Sequence, residues 1–157
     1  MLQYYPRGYC GVDKLGRPIY IERSGYINPT KVWEIVEEDE LWRFFYHSYE
    51  QVNKLHFMVA SKVSGKQIAH TFTIMDMSHF SVGMMNKRVY NLVQNASKIA
   101  QDYYPESLGQ LRIVNSPWVF TGVWSIIKAW LDEKTRLKIS LVGGSYKKEL
   151  LKYIDED

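Results

Sequence analysis

The run from Trp118 to Leu131 constrains this chain more than any other stretch. Nine of the 13 residues from Val119 to Leu131 are apolar, and three tryptophans fall between Trp118 and Trp130. Pro117 and Asp132 mark its ends, and the spacing predicts a helix. A helix this greasy must be covered by protein, membrane or ligand. A fully buried core helix is the plain alternative; the tryptophans add the signature of a membrane interface. Which of the three covers it is the functional question.

The chain around that helix alternates between two periods. Residues 1–17, punctuated by Pro6, Gly8, Gly11 and Gly16, read as loop, closing in a tight turn over Asp13–Arg17. Ile19–Arg23 is a strand with Tyr20 and Glu22 on one face and Ile19 and Ile21 on the other. Asn28-Pro29 starts a short helix to Val36. The acidic step Glu37–Glu40 then opens a long helix, its stripe running through Leu41, Phe45, Tyr49, Val52, Leu55 and Val59 to a stop at Ser64-Gly65.

Ile68–Met77 returns to period two. Thr71, Thr73, Met75 and Met77 share one face; His70, Phe72, Ile74 and Asp76 share the other. Asn86–Gln101 is helical again through Val89, Leu92, Val93, Ala96, Ile99 and Ala100, and Pro105 stops it. Leu111–Val114 and Ile139–Val142 are strands. Asp132–Thr135 connects, Gly143-Gly144-Ser145 is a turn with Ser145 as N-cap, and Tyr146–Ile154 is a closing helix. Strands alternating with helices predict a single α/β domain on a largely parallel sheet.

Charge and cysteine content narrow the function. A net charge of +3 gives no nucleic-acid footprint. The single cysteine, Cys10, leaves no internal disulfide and fits a reducing compartment. With no signal peptide and no apolar run near the ~20 residues of a membrane span, the expectation is a soluble, cytoplasmic protein.

Asp76, Ser78 and His79 invite a hydrolase reading, but the trio is sequential and the glycine-flanked serine elbow is missing. The four histidines lack metal-ligand spacing. Thr71 and Thr73 point the same way from one strand, although β-propensity alone explains them. No nucleophile and base can be paired, so no enzymatic activity, cofactor or metal is expected.

A series of short motifs then carries a resemblance. Tyr4-Tyr5-Pro6 is followed by Gly11-x-Asp13-Lys14-x-Gly16-Arg17-Pro18-x-Tyr20 and by Thr73-Ile74-Met75-Asp76. Next come Asp102-Tyr103-Tyr104-Pro105-Glu106, Ile113-Val114-Asn115-x-Pro117 and Leu131-Asp132-x-x-Thr135-x-x-Lys138-Ile139. Together, and in this order, they resemble the Sec14-type CRAL-TRIO lipid-transfer proteins over essentially all of residues 1–157.

The resemblance implies a monomeric, non-enzymatic carrier that encloses one phospholipid and meets membranes transiently from the cytoplasm. Its floor is a mostly parallel sheet, and an apolar gate helix closes the mouth. The gate candidates are Phe120, Val123, Trp124, Ile126, Ile127 and Trp130, hinged near Pro117 and Asp132. Gly122 would let the helix pack closely, and Val123 and Ile126 would both lie on a solvent-poor face. For phosphatidylcholine the headgroup contacts resemble Tyr9, Tyr20, Thr71 and Thr73. For phosphatidylinositol the acid-threonine-lysine set resembles Glu106, Thr135 and Lys138.

A helical segment that usually precedes this region and the usual tail are not in the sequence, so an excised core is expected. Phosphatidylinositol/phosphatidylcholine transfer is the leading function. A lipid-binding regulatory or tethering module of the same fold, without transfer, is the alternative.

Overall fold

The computed structural model describes residues 2–143 and 145–156. The expected turn at Gly143-Gly144-Ser145 and the ends of the expected 1–157 domain therefore reach residues outside the described set. Five strands form one sheet in sequence order: β1 (Arg7–Val12), β2 (Pro18–Glu22), β3 (Thr71–Asp76), β4 (Leu108–Val114) and β5 (Ile139–Val142). β1 pairs antiparallel with β2, and every later neighbour is parallel. The mixed α/β architecture expected from the alternation is present.

Sequence order in the sheet has a consequence. Right-handed crossovers taken in one direction place every connection on the same face. The helices α1 (Pro29–Ile35), α2 (Glu38–Gln51), α4 (Lys87–Tyr103), α5 (Phe120–Ile127) and α6 (Glu133–Leu137) all contribute to one cavity over the face that carries Tyr20, Thr71, Thr73, Leu111 and Ile113. The opposite face, with Ile19, Phe72, Ile74 and Val114, is packed by Tyr146, Leu150, Tyr153 and Ile154 of the closing segment, which contains α7 (Tyr146–Leu150). Arg112, buried on that second face, stacks on Tyr153, hydrogen-bonds its hydroxyl at 2.6 Å and pairs with Glu149 at 3.3 Å.

Local signals explain the element ends. The Asn28 side chain accepts from Lys31 N, and Asn86 accepts from Val89 N, each capping its helix. The Glu37/Glu40 pair forms a capping box at the start of α2. The buried Asp13 carboxylate accepts from the Leu15 and Arg17 backbone and pairs with the Arg17 side chain, which closes the expected turn with Gly16 at φ 79°. Gly25 lies so close to the Ser78 carbonyl that a Cβ would stand 1.9 Å from its oxygen, so only glycine fits.

Several expectations are corrected. Residues 7–12 are a strand: two glycines and a bulge between Tyr9 and Val12 hide the alternation, and the edge position leaves most of β1 exposed. The long helix is broken by a π turn at Val52–His56 before α3 (Phe57–Ser64). That wider turn rotates the stripe: Leu41 and Val52 are buried as expected, but Leu55 and Val59 are exposed and Phe57 and Ala60 replace them. Residues 133–137 are a helix, capped by Asp132. Ser145 occupies the cap position of α7, but its hydroxyl makes no capping bond, and the α-helix stops at Leu150.

The greasy helix is shorter than expected, with α5 followed by a 3-10 turn at Lys128–Trp130. Val123 is 4% exposed in a cluster with Met77, Leu111, Ile113 and Phe120, whereas Ile126 is 47% exposed, so the two do not share a face. A Cβ on Gly122 would meet nothing within 4 Å, so close packing does not explain that glycine.

Candidate functional site: a cavity with two polar ends

α4 is the clearest sign of an unfilled space. Its apolar stripe is regular over 17 residues, yet none of them is buried, because Val89, Leu92, Val93, Ala96 and Ala100 face a cavity of about 560 Å³. Phe120, Trp124 and Ile127 of α5 close another side, and Met75, Leu111 and Ile113 of the sheet form part of the floor. The volume is within the range of specific ligand pockets, and an apolar lining with a few convergent polar groups is their usual design.

All seven headgroup candidates line this space: Tyr9, Tyr20, Thr71, Thr73, Glu106, Thr135 and Lys138. The register across β1 and β2 sets Tyr9 opposite Tyr20, with ring centroids 5.0 Å apart. Thr71 donates to the Ser107 carbonyl at 3.3 Å and stands 3.5 Å from the Thr73 hydroxyl on the central strand. Burial, with Tyr49 alongside, pushes the Tyr9 phenol up to about 12. Both tyrosines of the pair therefore remain protonated hydroxyls at neutral pH.

The other polar group lies where the chain enters β4 and β5, and its Glu106 is exposed. Lys138 Nζ reaches Glu106 Oε2 at 2.7 Å, and this lysine holds the Glu106 carboxyl below its ordinary range. Thr135 donates its hydroxyl to Asp132 at 2.7 Å, which leaves its lone pairs available to a ligand donor. Glu106 is in the left-handed region at φ 65°, an uncommon conformation for a long side chain and one found more often at functional turns.

Of the gate candidates, Phe120, Trp124 and Ile127 face the cavity. Val123 is core, Ile126 faces outward, and Trp130 sits edge-on to Tyr90 at 6.1 Å. Trp118, just before the helix, is 84% exposed.

Asp76, Ser78 and His79 have a structural explanation. Asp76 accepts from Ser78 N at 2.9 Å, Ser78 Oγ at 2.7 Å and Asn115 Nδ2 at 2.9 Å, tying the ends of β3 and β4 together. His79 packs against Tyr26 at 4.6 Å between ring centroids. Among the described residues no cluster of three or more His, Cys, Asp or Glu is placed to hold a metal, and no helix is long and apolar enough to cross a membrane.

The sequence reading missed a polar group at the buried end. Glu22 accepts from Tyr5 at 3.2 Å, Tyr20 at 3.2 Å and Ser24 at 2.8 Å, with Arg7 beside it across the β1–β2 ladder. Tyr5, Arg7, Glu22, Ser24 and Tyr49 all line the cavity. The signal was available: Arg7 and Tyr9 are two apart, as are Tyr20 and Glu22. Treating residues 1–17 as loop concealed the first half of it.

Comparisons with known proteins identify the family. The CRAL/TRIO domain profile matches residues 2–157. The Sec14 cytosolic factor of Schizosaccharomyces pombe is 36% identical over 155 residues, covering 99% of this chain and 54% of that protein. The phosphatidylinositol/phosphatidylcholine transfer protein SFH12 of Arabidopsis thaliana is 35% identical over 156 residues, covering 99% of this chain and 29% of its own length. The chain thus spans about half or less of the curated relatives it matches. The crystal structure of Sfh5 shares the fold with a TM-score of 0.57 at 22% identity, over 86% of this chain and 46% of that one. A sheet with one face packed and the other lining a cavity, matched end to end by that profile, makes this chain a member of the CRAL/TRIO family, at whose level these relatives support lipid binding and transfer.

Proposed function

We propose that this protein encloses one phospholipid in the cavity and exchanges it between membranes, with phosphatidylinositol and phosphatidylcholine as its ligands. The uncovered apolar stripe of α4 carries the reading. Acyl chains are the occupants that suit it: roughly 30 methylenes at ~0.8 kcal/mol each make a free lipid in water costly by on the order of 20 kcal/mol. The relatives named for phosphatidylinositol/phosphatidylcholine transfer supply the headgroups.

The chemistry of the two polar ends fits two headgroups. At the solvent end Lys138 holds a phosphodiester while Glu106 and Thr135 accept inositol hydroxyls. At the buried end the phenol faces of Tyr9 and Tyr20 meet a choline cation, and Thr71 and Thr73 serve its phosphate. No covalent step is involved, and the chain acts as a monomeric carrier. Phe120, Trp124 and Ile127 move away from the cavity as the segment between Pro117 and Asp132 hinges, with Trp118 and Ile126 entering the membrane interface.

Transfer of labelled phosphatidylinositol and phosphatidylcholine between donor and acceptor vesicles tests this. The expected result is exchange of both lipids that depends on protein concentration. Tight binding without exchange would favour a sensing or tethering module, and neither binding nor exchange would overturn the proposal.

A further inference from the structure

Arg7 is a half-buried cation on the cavity wall, and among the described residues no carboxylate forms an ion pair with it. Its guanidinium carbon lies 4.2 Å from the ring centre of Phe44, 4.5 Å from Tyr5 and 4.7 Å from Phe45, which fixes its plane at the cavity wall. Nη2 is enclosed and has no hydrogen-bond partner. The Tyr5 and Tyr20 phenol oxygens stand beside the guanidinium, neutral acceptors at its edge. Its cross-strand neighbour Glu22, the obvious counter-ion, is instead held by the hydroxyls of Tyr5, Tyr20 and Ser24. Burial first, then Glu22, pushes the Tyr5 and Tyr20 phenols well above their ordinary range, so both stay protonated and keep donating to that carboxylate.

A guanidinium placed this way gains from an anionic acceptor that reaches it from the cavity, because ring faces and neutral phenols replace only part of the hydration it gives up. Its planar fork matches a phosphate better than any neutral oxygen. We propose that Arg7 is a further phosphate-holding residue of the buried end, acting with the Thr71 and Thr73 hydroxyls: its guanidinium takes the phosphodiester of a zwitterionic phospholipid whose cationic amine lies toward Glu22 and the tyrosine faces. The inference rests on the phospholipid reading above and deepens it. Two cations then serve two lipids, Lys138 at the solvent end and Arg7 at the buried end, and the opposite charges of Arg7 and Glu22 set the direction in which a zwitterion enters.

The test compares wild type, Arg7→Gln and Arg7→Lys, each loaded from vesicles of phosphatidylcholine or of phosphatidylinositol. Arg7→Gln should lower phosphatidylcholine binding ~10-fold or more and leave phosphatidylinositol binding within about twofold. Arg7→Lys, which keeps the charge and loses the fork, should fold, recover part of the phosphatidylcholine binding and shift the ³¹P resonance of the bound lipid relative to wild type. Equal loss of both lipids, no loss of either, or an unchanged ³¹P resonance in Arg7→Lys would overturn the assignment. Should Arg7→Gln fail to fold, the Arg7→Lys resonance decides. Wild-type protein that takes up no phospholipid would instead overturn the reading on which the inference rests.

Discussion

The two faces of the sheet are built from the same alternation, and they end differently. On one face Phe72, Ile74 and Val114 meet the closing segment, with Phe72 at 0% exposure. On the other, Thr71, Thr73 and Met75 look across a cavity at helices that do not close over them. The first face resembles any domain core. The second is packed under α5 around Leu111 and Ile113, and beside that cluster it keeps apolar surface facing the cavity. Apolar patterning therefore specifies which surfaces avoid water without specifying that protein must be what shields them.

Substitutions where side chains pack against side chains, on the first face or under α5, should have the largest effects. Phe72→Ala should lower stability by about 3–5 kcal/mol, measured by denaturant unfolding. Val123→Asp should unfold the domain by burying a charge in the cluster around Leu111 and Ile113. Ile126→Asp, on the outer face of the same helix, should leave the melting temperature nearly unchanged while vesicle exchange falls. If Val123→Asp and Ile126→Asp destabilised equally, α5 would be ordinary core on every side and the gate would be excluded.

Changes on the cavity side should show the opposite balance. Val93→Asp in α4 should cost less than about 1 kcal/mol in lipid-free protein, yet it should prevent lipid uptake by placing a charge against the acyl chains. A large stability loss in lipid-free protein would mean that α4 is packed by protein.

Headgroup substitutions sharpen the contrast between the two cavity ends. Lys138→Ala should weaken phosphatidylinositol ~10-fold and spare phosphatidylcholine, since Lys138 contacts only the solvent end. Thr71→Ala with Thr73→Ala should do the reverse. Equal loss of both lipids in either protein would indicate damage to the fold.

The smallest expected effect is a pH dependence at the strand ends. Burial works against the Asp76 carboxylate, but hydrogen bonds from Asn115 and Ser78 outweigh it and hold the group below its ordinary range. A folded-state value below the unfolded one contributes stability that is complete above the unfolded value, near 3.9. That contribution is lost as pH falls through the lower folded value. Asp76→Asn should therefore be less stable than wild type at neutral pH, and the gap should narrow below about pH 4. A gap independent of pH would remove the carboxylate from the account.

Much of the frame was legible in the sequence. Asn28-Pro29, Asn86 and Asp13 through Gly16 announce their caps and turn by chemistry that acts within a few residues. Faces were legible too: Tyr20 with Glu22, and Thr71 with Thr73, follow from period two alone. The π turn was not, because one wider turn leaves the apolar spacing on either side intact while rotating Leu55 and Val59 into solvent. β1 was not, because an edge strand with two glycines has little alternation to display. Arg7 was missed for that reason, and its importance depends on Glu22 already being held by three hydroxyls, a tertiary fact with no trace in spacing. The cavity itself was readable only through the resemblance, since an uncovered stripe and a covered one have the same sequence pattern.

The most direct test of the central claim is native mass spectrometry of protein purified from cells, followed by extraction and identification of what it carries. The account predicts one phospholipid per chain, lost from Val93→Asp while that variant remains folded. A folded wild-type chain that carries no lipid, and takes none from phosphatidylinositol or phosphatidylcholine vesicles, would contradict it.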